Sequence, residues 1–272
     1  MPRQYNAADF LVSGKSDVGM RRQRNEDRFL INSSAGIVLV ADGMGGHPDG
    51  DKASEFAVQT LNTLLEKYLP LQIVPAETSL WKRLVNVFKP RKIEAALSAT
   101  PSLIRDLLIQ THLQLYRQNE QQGWIDDQGM GTTLVGCRID LNSSSLVLFH
   151  VGDSRCYLFR QGKLEQLTQD HSAYQQWLET DQSEPAPSQN ILWQTLGIQP
   201  MIEPDIKSLD FLEGDRLLMC SDGLSNMVDE ATLADVLAHC QQDSLEQSVQ
   251  YLIDRANAAG GRDNITAVII CL

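Results

Sequence analysis

Five consecutive apolar residues, Ile37-Val38-Leu39-Val40-Ala41, run straight into a carboxylate, Asp42, and then into Gly43, Gly45 and Gly46. An unbroken apolar run of strand length has no polar face, so it must be covered on both sides. That requirement excludes a half-solvated sheet and places this strand at the centre of a layered fold. It also raises a chemical question at the strand's end. The strand aims the carboxylate, and the glycines let bare main chain approach, so the position can hold a cation. Taken alone, Asp42-Gly43 is an ordinary Asx turn. Two phosphate-loop readings fail on residue identity. The dinucleotide pattern starting at Gly43 meets Pro48 at its last glycine, and the Gly45 to Gly50 spacing is followed by Asp51-Lys52-Ala53 instead of Lys and a hydroxyl residue.

The remaining pattern comes in blocks. Arg28 to Asn32 forms a neighbouring strand, and from Lys52 the period changes to three and four. Ala53, Phe56, Ala57, Leu61, Leu64, Leu65 and Tyr68 then mark one buried helical face, stopped by Pro70. Thr100 as cap and Pro101 in the first turn predict a second helix, with Ile104, Leu107, Leu108, Thr111 and Leu115 buried. Thr132 to Ile139, Ser145 to Val151 and Arg155 to Arg160 read as successive antiparallel strands, and Gln161-Gly162-Lys163 turns the chain toward Leu164 to Leu167. Leu217 to Cys220 is a further buried strand. Helices over 230–241 and 245–258 follow, the second opened by a capping box on Ser244 and Gln247, and Asn264 to Leu272 is the last strand. Separate blocks of strands and helices predict an α+β fold layered around antiparallel sheets, in a single domain over 1–272. Two stretches do not fit. The segment 71–99, with Lys82, Arg83, Lys89, Arg91 and Lys92, reads as a surface insertion, and its basic part 81–92 as a docking patch for a kinase or substrate. The segment 173–205, with Pro185, Pro187, Pro200 and Pro204, reads as a functional loop.

A net charge of −12 argues against a nucleic-acid partner held through its phosphates. It also means that any phosphate-handling site here must reverse the local sign, which metal ions would do. The five cysteines are odd in number, scattered and without zinc-site spacing, as expected of a reduced, cytoplasmic protein. No apolar run approaches the ~18 residues of a transmembrane segment, and no signal-peptide core is present at the N-terminus.

The acids carry the chemistry. Asp42, Asp153 and Asp222 each end or interrupt an apolar run beside a glycine, Asp263 precedes the last strand after two glycines, and Glu26-Asp27 precedes an early strand. Burying such charges singly is costly, whereas several converging carboxylates can be stabilised by hard divalent cations. Two cations roughly 3.5–4 Å apart, sharing a carboxylate and a water, form the usual device for phosphoester hydrolysis. Arg22, four residues before Glu26, is suited to fork two phosphate oxygens.

Arg22-x-x-Asn25-Glu26-Asp27, Asp42-Gly43-Met44-Gly45-Gly46-His47, Gly129-Met130-Gly131-Thr132-Thr133, Gly152-Asp153-Ser154-Arg155, Leu167-Thr168-x-Asp170-His171-Ser172, Ser221-Asp222-Gly223-Leu224 and Gly261-Arg262-Asp263-Asn264 follow one another along nearly the whole chain. In this order they resemble the motifs of the bacterial protein phosphatase 2C-type (PPM) serine/threonine phosphatases. The resemblance implies a four-layer α-β-β-α sandwich and hydrolysis of phosphoserine and phosphothreonine with Mn²⁺ or Mg²⁺, through a hydroxide between two cations. It implies that Asp42 bridges two ions and that the Gly43 carbonyl binds one. Asp222 and Asp263 would complete the other site, with Asp27 or Glu26 holding bound water. Asp153 matches a third, weaker metal position, and Arg22 would bind the substrate phosphate. Phosphorylated proteins, an opposing serine/threonine kinase and a monomeric state are the implied context. Met44 stands where some relatives carry a histidine proposed as general acid, and His171 is read as structural. The segment 173–205 takes the place of the family's flap. A silent, binding-only relative should lack Asp42, Asp222 or Asp263, and all three are present. No cysteine has an arginine six residues on, and Asp42 has no aspartate two residues on, so cysteine-based and aspartyl-phosphate chemistries are excluded.

Overall fold

The computed structural model describes residues 10–45, 49–69, 91–124, 129–140, 144–180, 182 and 185–272, with side chains of 91–99 and of 242 left out. Two five-stranded antiparallel sheets form its centre. The first contains β1 (Leu11–Asp17), β6 (Arg155–Arg160), β7 (Lys163–Gln166), β9 (Arg216–Cys220) and β10 (Ile265–Cys271), in the order β1-β10-β9-β6-β7. The second contains β2 (Asp27–Asn32), β3 (Ile37–Asp42), β4 (Leu134–Asp140), β5 (Ser145–Val151) and β8 (Asp205–Asp210), in sequential order.

The apolar run at 37–41 is covered on both faces, as its composition demands. Ile37, Leu39 and Ala41 pack with Ala53, Ala57, Leu61 and Leu65 of α1 (Gly50–Tyr68) and with Ile104 and Leu108 of α2 (Arg91–Gln121). The intervening Val38 and Val40 face the other sheet, meeting an apolar layer that includes Cys156, Leu217, Met219, Val268 and Ile270. On that sheet's outer side, Leu218, Cys220, Ala267 and Ile269 pack on α5 (Glu230–His239) and α6 (Leu245–Ala258). The result is the four-layer α-β-β-α sandwich, held by three apolar seams.

Several sequence expectations need correction. β5 and β6 are not neighbours in one meander. The chain leaves one sheet at Val151 and enters the other at Arg155, turning at Gly152, which has φ +107°. Helix α2 starts at Arg91, so Pro101 lies inside it instead of opening it. The good helix formers Glu94, Ala95, Ala96 and Leu97 offset the one hydrogen bond that Pro101 cannot donate. Residues 71–90 of the expected insertion, including most of the basic segment 81–92, lie outside the described residues, and 91–99 are helical. Ser244 does not cap α6; it closes a reciprocal box with Gln241 around a preceding 3₁₀ turn. Residues 173–205 are not one long loop. They contain α3 (Ala173–Leu178), and Leu196 is tied to Thr132 by two main-chain hydrogen bonds.

The registers position the acids. Asp27 pairs with Asp42 across β2 and β3, Leu134 with Val151, Cys220 with both Arg155 and Ala267, and Asp17 with Ile265. Alternate strand directions therefore bring the end of β3, the β5–β6 crossing, the end of β9, the start of β10 and the β1–β2 crossing to the same edge of the sandwich.

Candidate active site

At that edge Asp27 is 1% exposed. Its Oδ2 accepts from Ser221 Oγ and Thr266 Oγ1, each at 2.7 Å, while the buried Oδ1 has no hydrogen-bond partner. The Asp42 carboxyl is close enough to those of Asp27, its partner in the β2–β3 register, and Asp222 to alter the titration of both. Its main chain is clamped. The Asp42 N–H donates to Thr133 Oγ1 (3.1 Å), and its carbonyl accepts from Thr133 N–H and Thr132 Oγ1, both at 2.9 Å. Thr133 Oγ1 is in turn 2.6 Å from Ser154 Oγ, beside Asp153. A Cβ on Gly43 would stand 2.2 Å from the Gly50 carbonyl oxygen, so only glycine allows these two main chains to approach.

Asp222 opens α4 (Asp222–Ser225), and its Oδ2 accepts from Asn226 Nδ2 at 3.1 Å. Asp153 sits in the crossing between sheets. The ion pair with Arg155 that its sequence neighbourhood suggests is not formed; Arg155 instead forks Asp170 at 2.9 and 2.7 Å. Asp263 accepts from Arg22 at 2.8 Å, and the Arg22 guanidinium lies over Gly45. Glu26 is tied through its N–H to Asn264 Oδ1 (2.8 Å). Asp27, Asp42, Asp153, Asp222, Asp263, Glu26, Gly43 and Arg22 all lie at this edge.

Burial and mutual repulsion raise the carboxyls of Glu26, Asp27, Asp42, Asp153 and Asp222. Desolvation, then the charges of Asp27, Asp222, Asp153 and Asp263, hold Asp42 well above the usual carboxylate range. Desolvation, followed by Asp222 and Asp170, does the same to Asp153. Desolvation pushes Asp27 to about 7 and Asp222 to about 6, and burial also raises Glu26. A cluster this reluctant to ionise favours cations over protons once they are available. The orphaned Oδ1 of Asp27 and the side-chain-free approach at Gly43 fit a hard cation that takes carboxylate and carbonyl oxygen. Among the described residues, no three of these carboxylates bring one oxygen each within 4.8 Å of one another.

Sequence reasoning missed the supports. Ser221 and Thr266 orient Asp27, Thr132 and Thr133 fix Asp42, and the buried Asn264 ties the arginine-bearing loop through the carbonyls of Val18 and Arg24, at 3.0 and 2.9 Å. Four of these five fall within recognised motifs, yet a small polar side chain carries no sign of which main-chain group it will meet.

Comparison with known proteins gives the same answer. The model of the family Protein phosphatase 2C matches residues 19–262. The chain is 36% identical to the serine/threonine phosphatase stp of Listeria welshimeri over 264 residues, covering 94% of this chain and 93% of that protein. It is 31% identical over 271 residues to the protein phosphatase PhpP of Streptococcus pneumoniae, covering 96% and 97%. Among solved structures, the catalytic domain of the serine/threonine protein phosphatase PstP in complex with two manganese ions superposes with a TM-score of 0.74 at 28% identity, covering 96% and 97%. The S. agalactiae serine/threonine phosphatase gives 0.72 at 33% identity, covering 97% and 99%. With the family model matching most of the chain and relatives above 30% identity covering more than nine-tenths of it, the chain belongs to the protein phosphatase 2C family of metal-dependent serine/threonine phosphatases.

Proposed function

We propose that Asp42 is the shared ligand of two divalent cations in this phosphatase, with the Gly43 carbonyl on one side and Asp222 and Asp263 on the other. The observation that carries the reading is the register that sets Asp27 opposite the buried Asp42 at the end of β3, where the charges of Asp222, Asp153 and Asp263 also converge on Asp42. When bound, Mn²⁺ or Mg²⁺ supplies an activated water at neutral pH and offsets the charge of the phosphate. Asp27 or Glu26 would hold water at the site by accepting a hydrogen bond from it. Arg22, the cationic side chain paired with Asp263 at this edge, turns its fork to the phosphate of the substrate. Asp153 serves a third, weaker site. Met44 has no proton to give, and its N–H is engaged by the Gly131 carbonyl at 2.9 Å. Protonation of the leaving serine or threonine oxygen would then fall to water bound at the metal site.

The substrates are phosphoserine and phosphothreonine proteins, and the enzyme opposes a serine/threonine kinase that supplies them. A monomeric state fits the covering of both sheets by helices. No helix among the described residues is long and apolar enough to cross a membrane. Hydrolysis of p-nitrophenyl phosphate and of a phosphothreonine peptide is expected to require Mn²⁺ and to stop on addition of EDTA. Undiminished turnover in EDTA would remove the two-metal reading.

A further inference from the structure

Between β1 and β2 the chain turns through Val18-Gly19-Met20-Arg21-Arg22-Gln23-Arg24, which holds three arginines and no acid, in a chain with 35 acidic and 23 basic side chains. Like charges this close repel one another, so the run is unfavourable unless anionic groups meet it. Arg22 has such a partner in Asp263, at 2.8 Å. Arg21 and Arg24 are exposed, and neither guanidinium has a hydrogen-bond or ion-pair partner among the described residues.

The turn is held from several sides. Gly19 has φ +78°, and a Cβ there would stand 2.1 Å from the Asp263 carbonyl oxygen, so the turn lies directly on the main chain of Asp263. The Gly19 N–H donates to Asp17 Oδ1 (2.9 Å) and the Met20 N–H to the Gly261 carbonyl (2.8 Å). Asn264 donates to the carbonyls of Val18 and Arg24, and the Asn25 side chain donates to Ser16 Oγ at 2.8 Å. The main chain of Arg24 is thus fixed while its side chain is free. An exposed arginine on a fixed main chain loses less freedom on meeting a ligand than one on a loose loop.

Arg24 also lies beside the reaction edge. Its charge and that of Arg22 both act on Glu26, without an ion pair between Arg24 and that carboxylate. Two residues of chain span at most about 7 Å, which bounds the main-chain distance from Arg22 to Arg24. A substrate strand advances ~3.3 Å per residue. With its phosphate in the Arg22 fork, its side chains one to three residues away come within reach of Arg24.

We propose that Arg24 is a specificity-determining residue, the basic wall of a subsite for a second anionic group of the substrate. That group is a carboxylate or a further phosphate, one to three residues from the phosphoserine or phosphothreonine. The proposal rests on Arg22 holding the reacting phosphate. The planar fork of arginine gives two parallel hydrogen bonds to either kind of anion. Exposed pairs of this kind are modest and salt-sensitive, so the subsite ranks substrates and takes no part in the chemistry.

The test compares kcat/KM of the full-length, Mn²⁺-loaded protein on phosphothreonine peptides of one length. One is neutral, one carries glutamates before the phosphothreonine and one after it, and one carries a non-hydrolysable phosphonate analogue of phosphoserine two residues away. At low salt at least one anionic peptide should exceed the neutral one by about threefold to tenfold, and high salt should erase the advantage. Arg24→Gln should abolish it while leaving turnover of the neutral peptide and of p-nitrophenyl phosphate unchanged. Arg21→Gln removes the same charge from the other side of Arg22 and should leave the preference standing; an equal loss there would reduce the effect to net charge and overturn the proposal. A wild-type enzyme indifferent to anionic flanks, or an Arg24→Gln variant that keeps the preference, would overturn it as well. A gain on the phosphonate peptide alone marks a phosphate subsite, and a gain on a glutamate peptide marks one that also takes carboxylates. The metal-centre reading fails separately, by p-nitrophenyl phosphate turnover that persists in EDTA. Metal-dependent turnover with no flank preference removes the subsite alone.

Discussion

Asp42→Asn is expected to lower Mn²⁺-dependent kcat by about three orders of magnitude or more and, at the same time, to raise the melting temperature of the metal-free protein. Both effects follow from one position. As a carboxylate, Asp42 lies opposite Asp27 in a cluster where desolvation and four neighbouring acids oppose its charge. At neutral pH the metal-free fold must either bury that charge or spend free energy on keeping a proton there. An amide has the shape of the protonated acid without that cost, and it also relieves the repulsion felt by Asp27. The backbone should not move, because its hydrogen bonds come from Thr132 and Thr133 and do not involve the side chain. A gain of 1 kcal/mol corresponds to roughly 2–4 °C in a domain of this size, so the shift is measurable by scanning fluorimetry in EDTA. The cost appears only in function, where a neutral amide cannot hold two cations. Wild-type turnover at saturating Mn²⁺, or a lower melting temperature in EDTA, would each sink the assignment.

The fold was legible wherever burial wrote itself into a period. The run at 37–41 demanded cover on both faces, and its odd and even residues do go to different apolar seams. The same reasoning failed where a strand is not buried. β8 has no fully buried position, only Ile206 and Leu209 half-buried, and carries Asp205, Lys207, Ser208 and Asp210, so its apolar signal is weak. It exists because β5 offers it a free edge, a fact of tertiary structure that no local window contains. The crossing at Gly152 was missed for a related reason. Strand periodicity shows which residues alternate, but not which sheet the next strand joins.

The candidate site was legible in its charges and illegible in its supports. A carboxylate at a buried strand end is anomalous by itself, and several of them form a pattern. Ser221, Thr266 and Thr133 are unremarkable residues whose value lies in one hydrogen bond each: the hydroxyls of Ser221 and Thr266 donate to the Asp27 carboxylate, and that of Thr133 accepts the Asp42 N–H. His171 is the intermediate case. Its motif marked it, and its structural role was expected, yet the reason lies in Gly152 and Gln194, which are 19 and 23 residues away in sequence.

The pH dependence of stability is expected to change sign with metal. In EDTA the folded protein binds more protons than the unfolded chain wherever a carboxylate pKa is raised. Asp27, moved from 3.8 to about 7, and Asp222, moved to about 6, therefore lose stability as pH rises through those values. At 1.36 kcal/mol per unit, Asp27 alone accounts for on the order of 4 kcal/mol. His150 acts oppositely. Burial lowers it from 6.5 to about 3, so the unfolded chain binds its proton first and stability falls as pH drops through that window. Between about pH 4 and 6.5 the two effects oppose each other, and above 6.5 only the carboxylates remain. Mn²⁺ replaces the protons on the cluster and removes that contribution, leaving the rise due to His150 below 6.5. Urea unfolding at pH 5, 6, 7 and 8 should thus show a decline from pH 6 to 8 in EDTA and none with saturating Mn²⁺. The stabilisation conferred by the metal should widen with pH. Two parallel curves would mean that the buried acids are not where the cations bind.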